Sequence, residues 1–323
     1  MDIVRLRTLR ELSHRTTMAA VAEALFLTPS AVSQQIAQLE EEVGVQLVER
    51  QGRGVRLTPA GELLVAHADR LFAVLDEAKA DMAAVCRAVS GTLRVAVFPT
   101  VGSWLLPAAI QRSQERHPHL HVILEEMEPA EGLAAVRTRR CDLAFVDDLT
   151  TLLPQEEKGI EKRPLIDDAL YVLLPSDHPL AQRASLPLEA LKNERWALDS
   201  AWTGFAEFVL GLCRRAGFEP RVNALCRGFE ILSAMVASGC SVSVVAGLRL
   251  RYSTPGVMAV PLRPKIRRRI SAAFRSGERS HPAIQAFLVA LNEARNLQDV
   301  ATTPESAGKD RTSCVAIMRN NSL

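Results

Sequence analysis

Apolar residues in the first sixty positions recur in a pattern of three short helices followed by a hairpin. Leu6, Leu9 and Leu12 sit at helical spacing between Val4 and Ser13. Met18 to Leu25 is a helix of small residues, with alanines at 19, 20, 22 and 24 that let a neighbour pack closely. Phe26-Leu27 then turns the chain into a third helix running from Thr28 to Gly44, the layout of a helix-turn-helix. Thr28 can cap free N–H groups there, Pro29 needs no hydrogen bond at the first helical position, and Gly44 is a stop signal. Val32, Ile36, Leu39 and Val43 form its apolar stripe. Ser30, Ser33, Gln34 and Gln38 line the opposite side, with Gln35 on a flank. Two β-prone runs around Gly52 and Gly54 predict a hairpin, or wing, that carries Arg50, Arg53 and Arg56.

Thr58-Pro59 repeats the cap-plus-proline signal, and no breaker follows until Ser90-Gly91. Ala68, Leu71, Leu75, Ala78, Met82, Val85 and Val89 alternate by four and three, a heptad seam that predicts a dimerisation helix. An amphipathic helix packed on its own domain is the alternative. Beyond Gly91 the texture changes to strand followed by helix. Strands are predicted at 92–98, 122–126 and 142–146, with helices at 104–115 and 131–139. A second set has strands at 169–174, 195–198, 221–225 and 241–245 and helices at 186–191, 204–216 and 229–238. A strand at 270–274 and an amphipathic helix at 282–294 close the region. This alternation implies an α/β fold on a parallel sheet covered on both faces, and two sets of similar make-up suggest a clamshell. The expected organisation is a winged helix-turn-helix at 1–61, a linker helix at 62–90, a two-lobed α/β domain at 91–296 and a disordered tail at 297–323.

Composition narrows the function classes. The chain has 323 residues, 48% hydrophobic and 24% charged, as in an ordinary globular protein of two or three domains. It contains no apolar run of about eighteen residues and opens on no signal peptide, so no membrane partner is expected and the compartment is cytoplasmic. Net charge is +2, and the first 61 residues hold seven arginines against seven acidic residues, so attraction to DNA must be local. Cysteines at 86, 141, 213, 226, 240 and 314 include no Cys-x-x-Cys and read as buried reduced thiols. A redox switch is the sharper alternative, for which Cys213 and Cys226 are the one loosely comparable pair. His117, His119 and His121 alternate at a proline junction without neighbouring ligands, so no metal is expected. The run Arg263, Lys265 and Arg267 to Arg269 reads as a solvated basic face, with a secondary DNA contact or an anion site as the alternative. No catalytic or cofactor-binding motif occurs, so neither an enzyme nor a cofactor is expected.

The hydroxyls and amides of the third helix suit contacts with base edges and phosphates, and a glutamine amide pairs with adenine. The wing arginines suit phosphates or a minor groove. The string Ala22 to Leu25, Thr28 to Ile36, Leu39 to Gly44, Leu47 to Arg50 and Leu57 to Gly61 resembles the winged helix-turn-helix of LysR-type transcriptional regulators. Val48 and Leu9 stand where that family usually has Phe, Val21 replaces a usual Ala, and Gln34 stands where many members carry Arg. On this reading Thr28, Pro29, Ser30, Ser33, Gln34, Gln35, Gln38, Arg50, Arg53 and Arg56 meet DNA.

The resemblance also implies that the C-terminal region is similar to periplasmic binding proteins, with crossings between lobes near 147–162 and 267–276. Ligands of open α/β sheets bind at the C-terminal ends of strands. Thr100, Val101, Gly102 and Ser103 fit that description and suit an anion, typically a carboxylate. Trp202 and Thr203 face them from the second lobe as an apolar wall and a polar handle, and Phe145 ends a strand near the crossing. Ala246 replaces a proline usual in the family. The partners implied are double-stranded promoter DNA, a small-molecule effector and a second copy of the chain, as a homodimer or homotetramer, with RNA polymerase as a further one. The rival readings are a solute-binding module whose helix-turn-helix only mediates assembly, and an α/β enzyme fused to a DNA-binding head.

Overall fold

The computed structural model describes residues 1–15, 17–52, 54–85, 89–150, 159–199, 204–251 and 254–301. The head is built as its caps dictate. Helices α1 (Ile3–His14), α2 (Met18–Leu25) and α3 (Pro29–Val43) start where Asp2, Thr17 and Thr28 accept hydrogen bonds from the amides of Val4, Ala20 and Ala31. Helix α3 stops at Gly44, whose φ of 72° is left-handed. Strands β1 (Val48–Gln51) and β2 (Gly54–Leu57) pair antiparallel as the wing. Leu6, Leu9, Leu12, Val21, Val32, Ile36, Leu39 and Leu47 form the core, closed by Ala68 and Phe72 of the long helix α4 (Pro59–Val85).

Helix α4 belongs partly to the head, and this rotates the expected seam. Ala68 and Leu75 pack inward on the head core. The exposed stripe is Leu63, Leu71, Val74, Ala78, Met82 and Val85.

Lobe I contains β3 (Gly91–Val97), α5 (Pro99–Trp104), α6 (Leu106–Arg116), β4 (Leu120–Glu126), α7 (Pro129–Arg137) and β5 (Leu143–Asp147). The long strand β6 (Ile160–Pro175) leads into lobe II, with β7 (Arg195–Asp199), α8 (Gly204–Arg215), β8 (Arg221–Cys226), α9 (Phe229–Ala237), β9 (Ser243–Ala246) and β10 (Val257–Pro261). The chain returns through β11 (Arg267–Arg275) and ends in α10 (Pro282–Ala301). The helix therefore runs into the segment expected to be a tail, and residues 302–323 lie outside the described residues.

The sheet is parallel only in part. Strands β4, β3 and β5 are parallel, but β11 is antiparallel to both β5 and β6. The physical reason is the crossing: β6 leaves lobe I and β11 re-enters it. The first part of β6 pairs with β11, and the rest pairs antiparallel with β9 and β10. Strands β7 and β8 form a separate parallel pair. Strand β10 was not expected from the sequence, the predicted helix at 104–115 is α6, and the segment 99–103, expected to be a turn into it, is the separate helix α5.

Buried charge joins α4 to lobe I. Arg275, 4% exposed at the end of β11, donates to the carbonyls of Val136 and Cys141 at 2.7 and 2.8 Å and to Glu278 Oε1 at 2.8 Å. Its Nε stands 3.8 Å from Asp76 Oδ2 of α4, and Arg139 pairs with the other oxygen of Asp76. Nearer the head, Arg10 pairs with Asp69 at 2.6 Å. The turn at Gly277 lies so close to α4 that a Cβ there would meet the Ala73 carbonyl oxygen at 2.2 Å. Gly277→Ala should therefore cost roughly 1–3 kcal/mol by overpacking a backbone contact. A lowered Tm with faster proteolysis between α4 and lobe I is the expected outcome, and an unchanged melt would refute the docking.

Candidate DNA-reading helix and effector cleft

Helix α3 presents Pro29, Ser30, Ser33 and Gln34 to solvent, with Thr28 exposed at its cap and Gln38 half-buried. Gln35 is held differently, since its amide oxygen accepts a hydrogen bond from the Thr8 hydroxyl of α1. That contact fixes the angle of α3 against α1 and removes one acceptor from the outer face. The wing is fixed to α3 by Glu40, whose carboxylate accepts from the amides of Leu47 and Val48 at 2.7 and 3.1 Å. Arg50 is exposed, Arg56 is bonded to Glu49 on the facing strand, and Arg53 lies outside the described residues. Several acids that balance the head arginines are thus occupied: Glu40 by amides, Glu42 by Arg5, and Glu49 by Arg56.

A small cleft, with a cavity volume of about 50 Å³, opens between the two lobes. It is lined where strands end and helices begin: Phe98, Pro99 and Thr100 after β3, Glu128 and Pro129 at α7, Asp147 ending β5, Asp199 ending β7, Phe205 on α8 and Ala246 ending β9. Thr150, Val244, Val245, Arg249 and Arg268 complete it. This is the crevice in which open α/β sheets hold ligands.

Arg268 organises the cleft. It is 4% exposed, and its Nε and Nη2 donate to Asp168 Oδ2 at 3.0 and 2.9 Å. Nη2 also donates to Thr100 Oγ1 at 3.0 Å, while Nη1 stands 3.6 Å from Asp147 Oδ2. Asp168 Oδ1 accepts from the Leu248 amide at 3.0 Å, so one buried network joins lobe I, β6 and lobe II. The rings of Phe98 and Phe205 flank the guanidinium at 5.2 and 5.9 Å. Burial pushes the Asp168 carboxyl up, against the pull of Arg268 and the Leu248 amide.

Carboxylates share the cleft with Arg268. Asp147 Oδ1 accepts from the amides of Leu149 and Thr150 and from the Thr150 hydroxyl, whereas Oδ2, in a residue 3% exposed, has no hydrogen bond. Glu128 is pushed up to about 7 by burial, then by Asp199, Asp147, Glu126 and Glu131. Arg249 Nη2 stands 4.0 Å from Asp199 Oδ2, and burial lowers the guanidinium below its ordinary value.

Of the residues expected in the cleft, Thr100 lines it. Val101 and Phe145 do not: they are 0% and 1% exposed in the core of lobe I, because their side chains point into the sheet–helix layer. Gly102 and Ser103 line a neighbouring groove instead, and Ser103 Oγ donates to the Pro99 carbonyl. Trp202 and Thr203 lie outside the described residues. Glu128, Asp199, Phe98, Phe205 and Arg249 were not foreseen, and Arg268 was noticed only within a basic run read chiefly as solvated. Alternation could have exposed Arg268. It shares its parity with Ile270, Ala272 and Phe274, the inward set of β11, whereas Arg267 and Arg269 are exposed.

Comparison with known proteins follows the same division. Residues 3–62 match the model of the bacterial regulatory helix-turn-helix proteins of the lysR family, and residues 87–296 match that of the LysR substrate binding domain. The chain is 29% identical to the transcriptional dual regulator GltC of Bacillus subtilis over 84% of this chain and 89% of that protein. It is 30% identical to the DNA-binding transcriptional dual regulator OxyR of Escherichia coli over 86% of this chain and 90% of that one. Among solved structures, a variant of full-length OxyR from Pseudomonas aeruginosa superposes with a TM-score of 0.58 at 27% identity, covering 90% of this chain and 94% of that one.

Glu128 makes stability depend on pH in a defined direction. Its folded value of about 7 lies above the ordinary 4.5, so its stabilising contribution is complete below 4.5 and lost as pH rises through 7. Glu128→Gln removes that loss. After allowance for partial exposure, the variant should be more stable than the parent by about 1–2 kcal/mol at pH 8 and equal to it at pH 4.5, as read by thermal melts.

Proposed function

The chain belongs to the LysR family of bacterial transcriptional regulators, DNA-binding proteins with an effector-binding domain, and on that premise we propose how its parts divide the work. Two copies associate along the exposed stripe of α4, Leu63, Leu71, Val74, Ala78, Met82 and Val85, which presents an unpartnered apolar seam on a helix joining two domains. Paired α3 helices then read two half-sites of promoter DNA, with Ser30, Ser33 and Gln34 at base edges and Arg50 at phosphates. The oligomer works in the cytoplasm, where promoter and RNA polymerase are found. No helix among the described residues is long and apolar enough to cross a membrane.

The effector binds between the lobes. The observation that carries this reading is the Arg268 network, which joins Thr100 of lobe I, Asp168 of β6 and, through Asp168, Leu248 of lobe II at the floor of the cleft. A ligand that draws the lobes together shifts the population toward a closed form. Because α4 is docked on lobe I through Asp76, a shift in the lobes changes the placement of the heads and the bend of the DNA.

The redox alternative finds no support at Cys213 and Cys226, whereas Cys240, expected to be buried, is exposed. Cys213 lies in the lobe II core with Trp196, and Cys226 lies in a separate cluster. Burial pushes the Cys213 thiol up to about 12 and raises Cys226, which suppresses the thiolate needed for oxidation. Cys86 and Cys314 lie outside the described residues.

Two measurements test the proposal. Binding to DNA upstream of the protein's own coding region should weaken steeply with salt, and Gln34→Ala should relax base preference at one position per half-site, worth about 1–3 kcal/mol of discrimination. Sequence-independent binding would return α3 to a structural role. Thr100→Val should leave basal DNA affinity unchanged and reduce the response to effector about tenfold or more. An unchanged response would remove the cleft from the mechanism.

A further inference from the structure

The charges of the cleft indicate the chemistry of its occupant. Three carboxylates line it, Glu128, Asp147 and Asp199, against two guanidiniums, Arg249 and Arg268. Arg268 is already matched from behind by Asp168, which it holds through two nitrogens. Arg249 lies at 4.0 Å from Asp199. The Glu128 carboxylate has no hydrogen bond or ion pair among the described residues, and the charged groups acting on it, Asp199, Asp147, Glu126 and Glu131, are all acidic. Asp147 presents a buried Oδ2 without a hydrogen bond, its nearest cation being Arg268 Nη1 at 3.6 Å. A buried carboxylate oxygen with no donor is costly, and a charged donor is the partner that relieves it most.

We infer that the effector carries a cationic nitrogen, an ammonium or guanidinium, which docks between Glu128 and Asp147, and that any carboxylate on the same molecule turns toward Arg249. The rings of Phe98 and Phe205 bound the space and suit a short aliphatic body. An amino acid or amine of few carbons fits this pattern. A simple carboxylate, the ligand suggested by the sequence, satisfies Arg249 and leaves Asp147 and Glu128 facing added negative charge.

This inference rests on the reading of the cleft as the effector site, and the test separates the two. Calorimetry and thermal shift on the full-length protein at pH 8 compare cationic probes with neutral or anionic partners of matched length. The probes are γ-aminobutyrate against 4-hydroxybutyrate, putrescine against 1,4-butanediol, and L-lysine, L-arginine and agmatine against glutarate. At least one cationic probe should bind, with its matched partner at least tenfold weaker. Its Kd should rise tenfold or more in Glu128→Gln and in Asp147→Asn. Thr150→Trp, which fills the half-exposed rim, should abolish binding while DNA binding confirms the fold. Binding of glutarate or 4-hydroxybutyrate that survives Glu128→Gln and is lost in Thr150→Trp overturns the cationic class and leaves the cleft in place. Binding that survives Thr150→Trp overturns both readings, and no binding by any cationic probe overturns the class.

Discussion

One strand, β11, carries the constraint on which the arrangement depends. At its first turnless stretch Arg268 reaches into the cleft, and at its last residue Arg275 grips the linker helix through Asp76. The seven steps between them span roughly 23 Å of extended chain. The strand is flanked on both sides, by β5 and β6, and Ile270, Ala272, Ala273 and Phe274 are 0% exposed. It can be displaced as a body but cannot be bent locally without opening a packed core. The cleft and the linker helix are thus joined by one rigid element.

Both ends are buried ionic networks, which are poor sources of stability and exacting sources of geometry. Replacing such a network with apolar side chains is often neutral, while removing one member costs several kcal/mol because the others lose their partners. That asymmetry suits a switch. The linker network positions α4 because Asp76, Arg139, Arg275 and Glu278 have few arrangements that satisfy all of them. Neither network is complete in hydrogen bonds: Asp147 Oδ2 lacks one in the cleft, and Asp76 Oδ1, Arg275 Nε and Glu278 Oε2 lack one at the linker, where they rest on ion pairs alone. What distinguishes the cleft is that it opens to a ligand.

The sequence was most legible where structure is decided locally. The caps at Thr28 and Gly44, the apolar stripe of α3 and the two wing strands could be read from spacing, because each depends on neighbours within a few residues. The lobes were legible as alternation, but the sheet direction was not. Strand β6 is long because it serves both lobes in succession, a property of the crossing and not of any local run. The cleft was the least legible part. Arg268 sits in a basic triplet whose outer members are solvated, and Glu128 and Asp199 are separated by seventy residues of sequence with no shared motif. Phe145 misled for the opposite reason: it ends near a crossing yet alternates into the core, while its neighbour Asp147, of the same parity, reaches the end of the strand and the opening.

The magnitudes explain why the molecule should act as an assembly. Moving a two-state equilibrium from about 1:99 to 99:1 takes about 5.5 kcal/mol of differential binding. A hydrogen bond to a charged group contributes about 1.5–3 kcal/mol, so an effector that gains only one such bond on closure falls short in a single cleft. Two clefts acting on a common pair of linker helices contribute together and reach that range. The same logic holds at the DNA. The head has no excess of basic residues, so a single copy binds weakly, and two copies held at a fixed spacing gain from each other through effective concentration. Weak units at both ends make the outcome depend on relative placement, and placement is what the strand between Arg268 and Arg275 transmits.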